Sequence, residues 1–276
     1  MKISILLFIT IIIHFPMLLA HNNSTLMLKG VSEGFFANFY IVLGALDSLE
    51  KKEYQAICID FDSSHLYYEP SEGNNWWDYY FEMLTPSINK ENLVYLETEG
   101  DLAGKAKWGL SKKRANYLIN KYIKLRANIQ QELDEFCSQY FHNYMIGIHY
   151  RGTDKLLSEA KLITYKELFT HMDKLIKQFP HCKFFIATDE EKFLNAAKKK
   201  YHTRIIYRNQ KRSTNSIPVH RDKSINNYIK GKEALLDCLL LAKCNILIRT
   251  ASNLSDVSCC LNPDIRTINY FVRIRR

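Results

Sequence analysis

The stretch Tyr144-Met-Ile-Gly147-Ile-His149-Tyr150-Arg151-Gly152-Thr-Asp154-Lys155, followed by Glu159, decides the reading of this chain. Its apolar first part, Tyr144 to Ile148, reads as a buried strand. Its second part sets a histidine, an arginine, an aspartate and a lysine at that strand's C-terminal end, with Glu159 four residues past Lys155. In an open α/β sheet, ligands sit at that end. A cation for a phosphate, a ring for a base and a carboxylate beside a lysine suit group transfer from a phosphorylated donor.

The sequence after this stretch alternates regularly. Strands are expected at 144–149, 182–187, 204–207, 245–249 and 266–270, and helices at 164–178, 190–199, 231–242 and 253–260. Such alternation means a parallel sheet with right-handed crossovers. The glycines form no GxGxxG fingerprint, which argues against a dehydrogenase. Two more strand ends carry polar groups: Phe185-Ile-Ala-Thr188-Asp189-Glu190 and Asn245-Ile-Leu-Ile-Arg249-Thr250-Ala-Ser252-Asn253. A hydroxyl-rich helix N-terminus offers free N–H groups to a diphosphate, and Arg151 adds a bidentate clamp. Taken singly, Thr188, Asp189 and Ser252 read equally well as N-caps. Arg151 with Asp154 reads as a structural ion pair, and His149 as a core residue. Three polar ends on one sheet edge favour a site.

Toward the N-terminus, Leu26 to Leu28 is a short strand, Gly30 to Gly34 a turn, Phe35 to Leu49 a helix and Tyr54 to Phe61 a strand. That order opens an α/β domain. The cluster Trp76-Trp77-Asp-Tyr79-Tyr80-Phe81 reads as core packing or as a sugar-stacking platform. Residues 85–112 show no period. From Lys112 to Tyr140, Leu118, Tyr122, Leu125, Ile129, Leu133 and Phe136 recur at helical spacing and predict one long helix. This helix bridges an acceptor-side domain, 21–140, to a nucleotide-sugar domain, 141–276. The fold class expected is α/β, with two Rossmann-like domains facing across a cleft (GT-B type).

The chain of 276 residues is 47% hydrophobic and 13% aromatic, which excludes wholesale disorder. Its net charge of +9 admits nucleic acid, a membrane surface or an anionic small ligand. No nucleic-acid module accompanies it, so no nucleic-acid partner is expected. Lys2 and the apolar run Ile3 to Ile13 make residues 1–20 a signal peptide ending at Ala20 or an uncleaved signal anchor. Either sends the chain into the secretory route (ER or Golgi lumen, or secreted), and only the anchor would tie it to a membrane. Glycosylation triplets start at Asn22, Asn23 and Asn253, the last in a ligand loop and so expected unmodified. The seven cysteines lack CxxC spacing and read mainly as small core residues.

These motifs carry a resemblance. His149-Tyr-Arg151-Gly-Thr-Asp154-Lys155 resembles the first donor-site motif of the α1,6, nodulation-type and protein O-fucosyl transferase superfamily. In order along the chain, Gly34-Phe-Phe36-Ala-Asn38 resembles that superfamily's acceptor-side turn, Phe185 to Glu190 its central strand end, and Glu233 to Lys243 running into Thr250-Ala-Ser252-Asn253 its last motif. The resemblance implies GDP-fucose as donor, a glycan or glycoprotein acceptor, no prosthetic group and no metal. It implies that Arg151 holds the diphosphate beside Asp154. His149 and Asp189 would face the guanine-ribose end, with Thr250, Ser252 and Asn253 at the phosphates. Glu159 would be the catalytic base, tuned by Lys155. Gly152 departs from the α1,6 pattern of a second arginine, which leaves the phosphate clamp either weaker or completed from elsewhere, with Arg249 as the candidate substitute. Asp60-Phe-Asp62 is formally a metal-binding triplet, but it lies on another strand. A glycan- or partner-binding protein without turnover is the alternative that these departures leave.

Overall fold

The computed structural model describes residues 23–62, 66–83, 92–95, 99–152, 163–214 and 218–270. The leader, Asp154, Lys155 and Glu159 lie outside the described residues.

The first unit opens with β1 (Thr25–Lys29), α1 (Phe35–Glu50) and β2 (Ala56–Asp60), followed by β3 (Phe81–Met83) and β4 (Leu93–Tyr95). β1 pairs in parallel with both β2 and β4. Nearly every residue of α1 is buried, because the sheet lies on one side and α2 (Glu99–Gly109) on another. Gly44 permits that contact: a Cβ there would lie 2.6 Å from the Leu102 carbonyl oxygen. α2 escaped sequence reading because it has almost no apolar stripe. Its Leu102 and Ala106 suffice to seat it on α1.

The long helix expected over 112–140 is broken into α3 (Lys112–Tyr122), β5 (Ile123–Leu125) and α4 (Ala127–Tyr140). β5 pairs antiparallel with β3, and the Arg126 N–H donates to the Tyr80 carbonyl. The strand partner supplies the backbone bonds that a continued helix would have made, so tertiary pairing overrides the helical spacing. Trp76, Trp77, Tyr80 and Phe81 are fully buried, with Phe61 stacked on Trp76. The aromatic cluster is therefore core.

The second unit runs β6 (Met145–Tyr150), α5 (Tyr165–Gln178), β7 (Lys183–Thr188), α6 (Glu191–Tyr201), β8 (Ile205–Ile206), α7 (Asn227–Ala242), β9 (Ile246–Arg249), α8 (Asn253–Leu261) and β10 (Arg266–Asn269). The sheet order is β10-β9-β6-β7-β8, and every pair is parallel. Ile146, Ile148, Phe184 and Ile186 face α5 and α6 in one core. Met145, Phe185 and Leu247 face the other way, into a core shared with α7, α8 and the first unit. α1 and α3 both touch α8, so this shared core joins the two sheets. The two larger sheets are parallel, and the fold is α/β of the GT-B type.

Candidate active site

The chain winds outward from β6 through β7 to β8, then returns past β6 to β9 and β10. The winding direction reverses between β6 and β9. The crevice at the carboxyl ends of those two strands is where a doubly wound sheet takes its ligand. His149 and Arg151 end β6 on one side of it, and Thr250, Ser252 and Asn253 follow β9 on the other.

Backbone bonds fix the loop leaving β6 from both flanks. The Thr250 N–H donates to the His149 carbonyl at 3.1 Å, and the Arg151 N–H donates to Thr250 Oγ1 at 3.0 Å. On the β7 side the Gly152 N–H donates to Asp189 Oδ1 at 3.2 Å. Thr250 and Asp189 thus hold the shape of the arginine loop. Ser252 occupies the N-cap position of α8 with extended backbone, yet its hydroxyl makes no capping bond. The first-turn N–H groups of α8 therefore stay uncapped by that side chain. Asn253 Oδ1 instead accepts from Lys107 Nζ of α2 at 2.6 Å.

Burial pushes the Tyr67 phenol up to about 12, opposed by its bond from the Phe35 N–H and by the charge of Arg151. The Tyr67 hydroxyl accepts the Phe35 N–H at 2.9 Å, where α1 begins after Gly34. Tyr67 thereby holds the start of α1 and the Gly34 turn before it. The other two residues of that turn brace it from within. Phe36 packs edge-on against Phe35. Asn38 accepts from the Val31 N–H at 2.8 Å and donates to the Val31 carbonyl at 3.1 Å.

Arg249 does not substitute for the side chain missing at Gly152. It is buried, forms an ion pair with Asp256 at 2.5 Å and donates to Asn269 Oδ1 at 2.8 Å. Two neutral or anionic partners already hold its guanidinium to α8 and β10. The space beside Gly152 belongs to Glu190: a Cβ at 152 would lie 2.1 Å from Glu190 Oε2. Tyr165 donates to the other carboxylate oxygen of Glu190 at 2.6 Å. In the Asp60-Phe-Asp62 triplet, Lys29 pairs with both carboxylates.

The sequence reading missed a buried polar group on α7. This helix crosses β6 on the His149 face, since a Cβ at Gly147 would lie 2.9 Å from Leu241. Asp237 Oδ2 accepts from Gln210 Nε2 at 2.8 Å. Asp237 Oδ1, Gln210 Oε1 and Arg212 Nε are buried and unmatched among the described residues. Burial pushes the Asp237 carboxyl up to about 6, with Arg208 and Arg212 opposing. An acid inside the apolar run Ala234 to Ala242 was the signal available in sequence. Gln210 and Arg212 had none. Arg212 also lines a cavity of about 410 Å³ with Lys211, Ser213, Arg221, Asp222 and Lys223. Ser213 joins this basic rim to the end of β7 through the Asp189 carbonyl.

An arginine and a helix N-terminus meet the switch-point crevice of a parallel α/β sheet, where such folds take their ligands. Comparison with known proteins narrows this. Residues 114–265 match the family described as alpha-(1,6)-fucosyltransferase N- and catalytic domains. The chain belongs to that family, a family of fucosyltransferase enzymes. Among solved structures it is similar to the fucosyltransferase NodZ from Bradyrhizobium, at 14% identity with a TM-score of 0.61, covering 92% of this chain and 99% of that one. It is similar to NodZ alpha-1,6-fucosyltransferase soaked with GDP-fucose, at 16% identity and a TM-score of 0.60, covering 87% and 93%. POFUT1 in complex with GDP follows at 10% identity and 0.53, covering 90% and 98%. At these identities the likeness is one of fold. No curated protein matches at the sequence level.

Proposed function

We propose that the protein transfers a sugar, L-fucose, from GDP-fucose to a hydroxyl of a glycan or glycoprotein, with inversion at the anomeric carbon. The observation that carries this reading is the switch-point crevice itself, where Thr250 locks the backbone N–H of Arg151 beside the N-terminus of α8, whose N-cap Ser252 makes no capping bond. A diphosphate between them would receive the guanidinium fork and the N–H groups of α8. The GDP-fucose and GDP complexes of the similar structures support the choice of donor.

The polar group on α7 supports guanine in particular. Guanine offers N1–H and N2–H donors, which suit Asp237 Oδ1 and Gln210 Oε1, and an O6 acceptor, which suits Arg212 Nε. Uracil offers one donor between two acceptors and would leave a buried carboxylate or amide oxygen unmatched. On the acceptor side, Trp108 at the end of α2 is 65% exposed beside Lys107 and gives a sugar ring an indole face.

In the transfer, the acceptor oxygen attacks the anomeric carbon as the bond to the β-phosphate oxygen breaks. The electron pair leaves on GDP, where Arg151 and α8 stabilise it. The acceptor's proton passes to a carboxylate, the role we assign to Glu159, with Lys155 tuning it and Asp154 steadying Arg151. No metal is required in this scheme. The leader sequence supports a secretory setting for the reaction. Glu159→Gln tests the scheme: GDP affinity should persist while transfer of labelled fucose collapses. Equal loss of both would make Glu159 a structural residue.

A further inference from the structure

We propose that the basic cavity beside the end of β7 is a subsite for an acidic sugar, one that carries a sulfate or phosphate ester. As an acceptor subsite it rests on the reading of the protein as a transferase to glycans. The cavity measures about 410 Å³, a size that takes a small organic molecule rather than a bare ion. Lys211, Arg212, Arg221 and Lys223 line it together with one carboxylate, Asp222. That carboxylate is satisfied within its own wall. It pairs with Lys211 Nζ at 3.1 Å and accepts from the Ser224 N–H at 2.8 Å and the Ser224 hydroxyl at 2.7 Å. Arg212 is fixed as well, its terminal nitrogens donating to the Gln210 and Arg208 carbonyls at 3.1 and 2.7 Å. Arg221 and Lys223 are exposed and form no ion pair or side-chain hydrogen bond among the described residues. Two uncommitted cations thus stand over a cavity whose carboxylate is already neutralised.

The two walls place the cavity on the cleft side of the second unit. One wall, residues 211–214, is pinned to the carboxyl end of β7, where the Ser213 N–H donates to the Asp189 carbonyl at 2.8 Å. The other is the short 3-10 turn Val219–Arg221 with Asp222 and Lys223. It leads into α7, whose Asn227 Nδ2 donates to the Tyr68 carbonyl of the first unit at 2.7 Å. A glycan lying between the units could therefore drop a charged group into the cavity. Arg221 offers that group a planar fork of donors and Lys223 a point charge. The Thr214 hydroxyl lines the same space and suits the sugar's own hydroxyls.

Calorimetric titration at low ionic strength with O-sulfated N-acetylglucosamine, N-acetylglucosamine, inorganic sulfate and GDP tests this. The wild type should bind the sulfated sugar at least about tenfold more tightly than the uncharged sugar or the free ion. Arg221→Ala/Lys223→Ala should weaken the sulfated sugar roughly 10- to 100-fold and leave GDP within about twofold. Lys177→Ala/Lys199→Ala removes the same charge from the exposed last turns of α5 and α6, and should change neither ligand. Sulfated sugar bound at wild-type strength by the Arg221→Ala/Lys223→Ala protein would overturn the proposal. So would equal weakening in the Lys177→Ala/Lys199→Ala protein, which would reduce the effect to net charge. Inorganic sulfate bound as tightly as the sulfated sugar would make the cavity an ion site and overturn the sugar subsite. A wild type that binds GDP and ignores the sulfated sugar would overturn this proposal alone. One that binds the sulfated sugar through Arg221 and Lys223 and ignores GDP would sink the donor reading and uphold the cavity as an acidic-sugar site.

Discussion

Gly152→Ala puts the packing beside the arginine loop to a direct test. The added methyl would stand 2.1 Å from Glu190 Oε2 and 3.0 Å from Glu190 Cδ and Tyr150 Cε1. Relief requires the carboxylate to move by at least about 1.3 Å to reach ordinary contact distance. The 2.6 Å bond from the Tyr165 hydroxyl does not survive such a shift. A hydrogen bond to a charged group contributes roughly 1.5–3 kcal/mol, and overpacking by one methyl costs roughly 1–3 kcal/mol. With partial relaxation the variant should lose about 2 kcal/mol. At roughly 2–4 °C per kcal/mol for a chain of this size, its Tm should fall by about 4–8 °C. Removing the obstacle first should abolish most of the effect. In a Glu190→Ala background the same substitution should cost under about 0.5 kcal/mol, a coupling of about 1.5 kcal/mol in a double-mutant cycle. Thermal unfolding of the four proteins measures this. Additive losses would refute the claim that Glu190 occupies the side-chain space of position 152.

Three further outcomes follow from the same geometry. Arg151→Ala should weaken GDP by about 100-fold by calorimetry while sparing guanosine, because only the phosphate fork is lost; equal loss of both would make Arg151 structural. Asp237 must be ionised to accept guanine N–H groups, and burial holds its carboxyl up to about 6 in the free protein. Guanosine, which has no phosphate to titrate, should therefore bind roughly tenfold more weakly at pH 5 than at pH 7, the proton competing with the base. Asp237→Asn should bind weakly with a flat profile, and a slope that survived in it would assign the proton elsewhere. Asn38→Ala strands the Val31 N–H and carbonyl that Asn38 now matches, so it should cost about 2 kcal/mol in urea unfolding; a neutral result would remove Asn38 as the brace of the acceptor-side turn.

The second unit was legible in sequence because its strands are short apolar runs ending in polar residues and its helices alternate with them. β6, β7, β9 and β10 all fall within a residue or two of expectation, and α7 merely starts earlier, at Asn227 rather than Gly231. The first unit was harder, for two physical reasons. α2 has glycines at 100, 104 and 109 and no stripe to betray it. The apolar spacing from Leu118 to Phe136 continues in phase across β5, so periodicity could not report a strand that exists only because Phe81–Met83 pairs with it. For the site, the residues around one strand end were readable as types in a pattern. What they do locally was not: Thr250 and Asp189 hold backbone N–H groups, and Arg249 is committed to Asp256. Gln210 comes from a distant segment and shows nothing in sequence that marks it, whereas Asp237 carries a readable signal, an acid in an apolar helix, that the pattern of strand ends passed over.

The central claim is a crevice that reads guanine and grips a diphosphate. Calorimetric titration of residues 21–276 with GDP, GDP-fucose, GDP-mannose and UDP tests it most directly. The account predicts binding of the GDP ligands, a preference for GDP-fucose over GDP-mannose, and at least about tenfold weaker binding of UDP. UDP bound as tightly as GDP, or no binding by a folded sample, would contradict it.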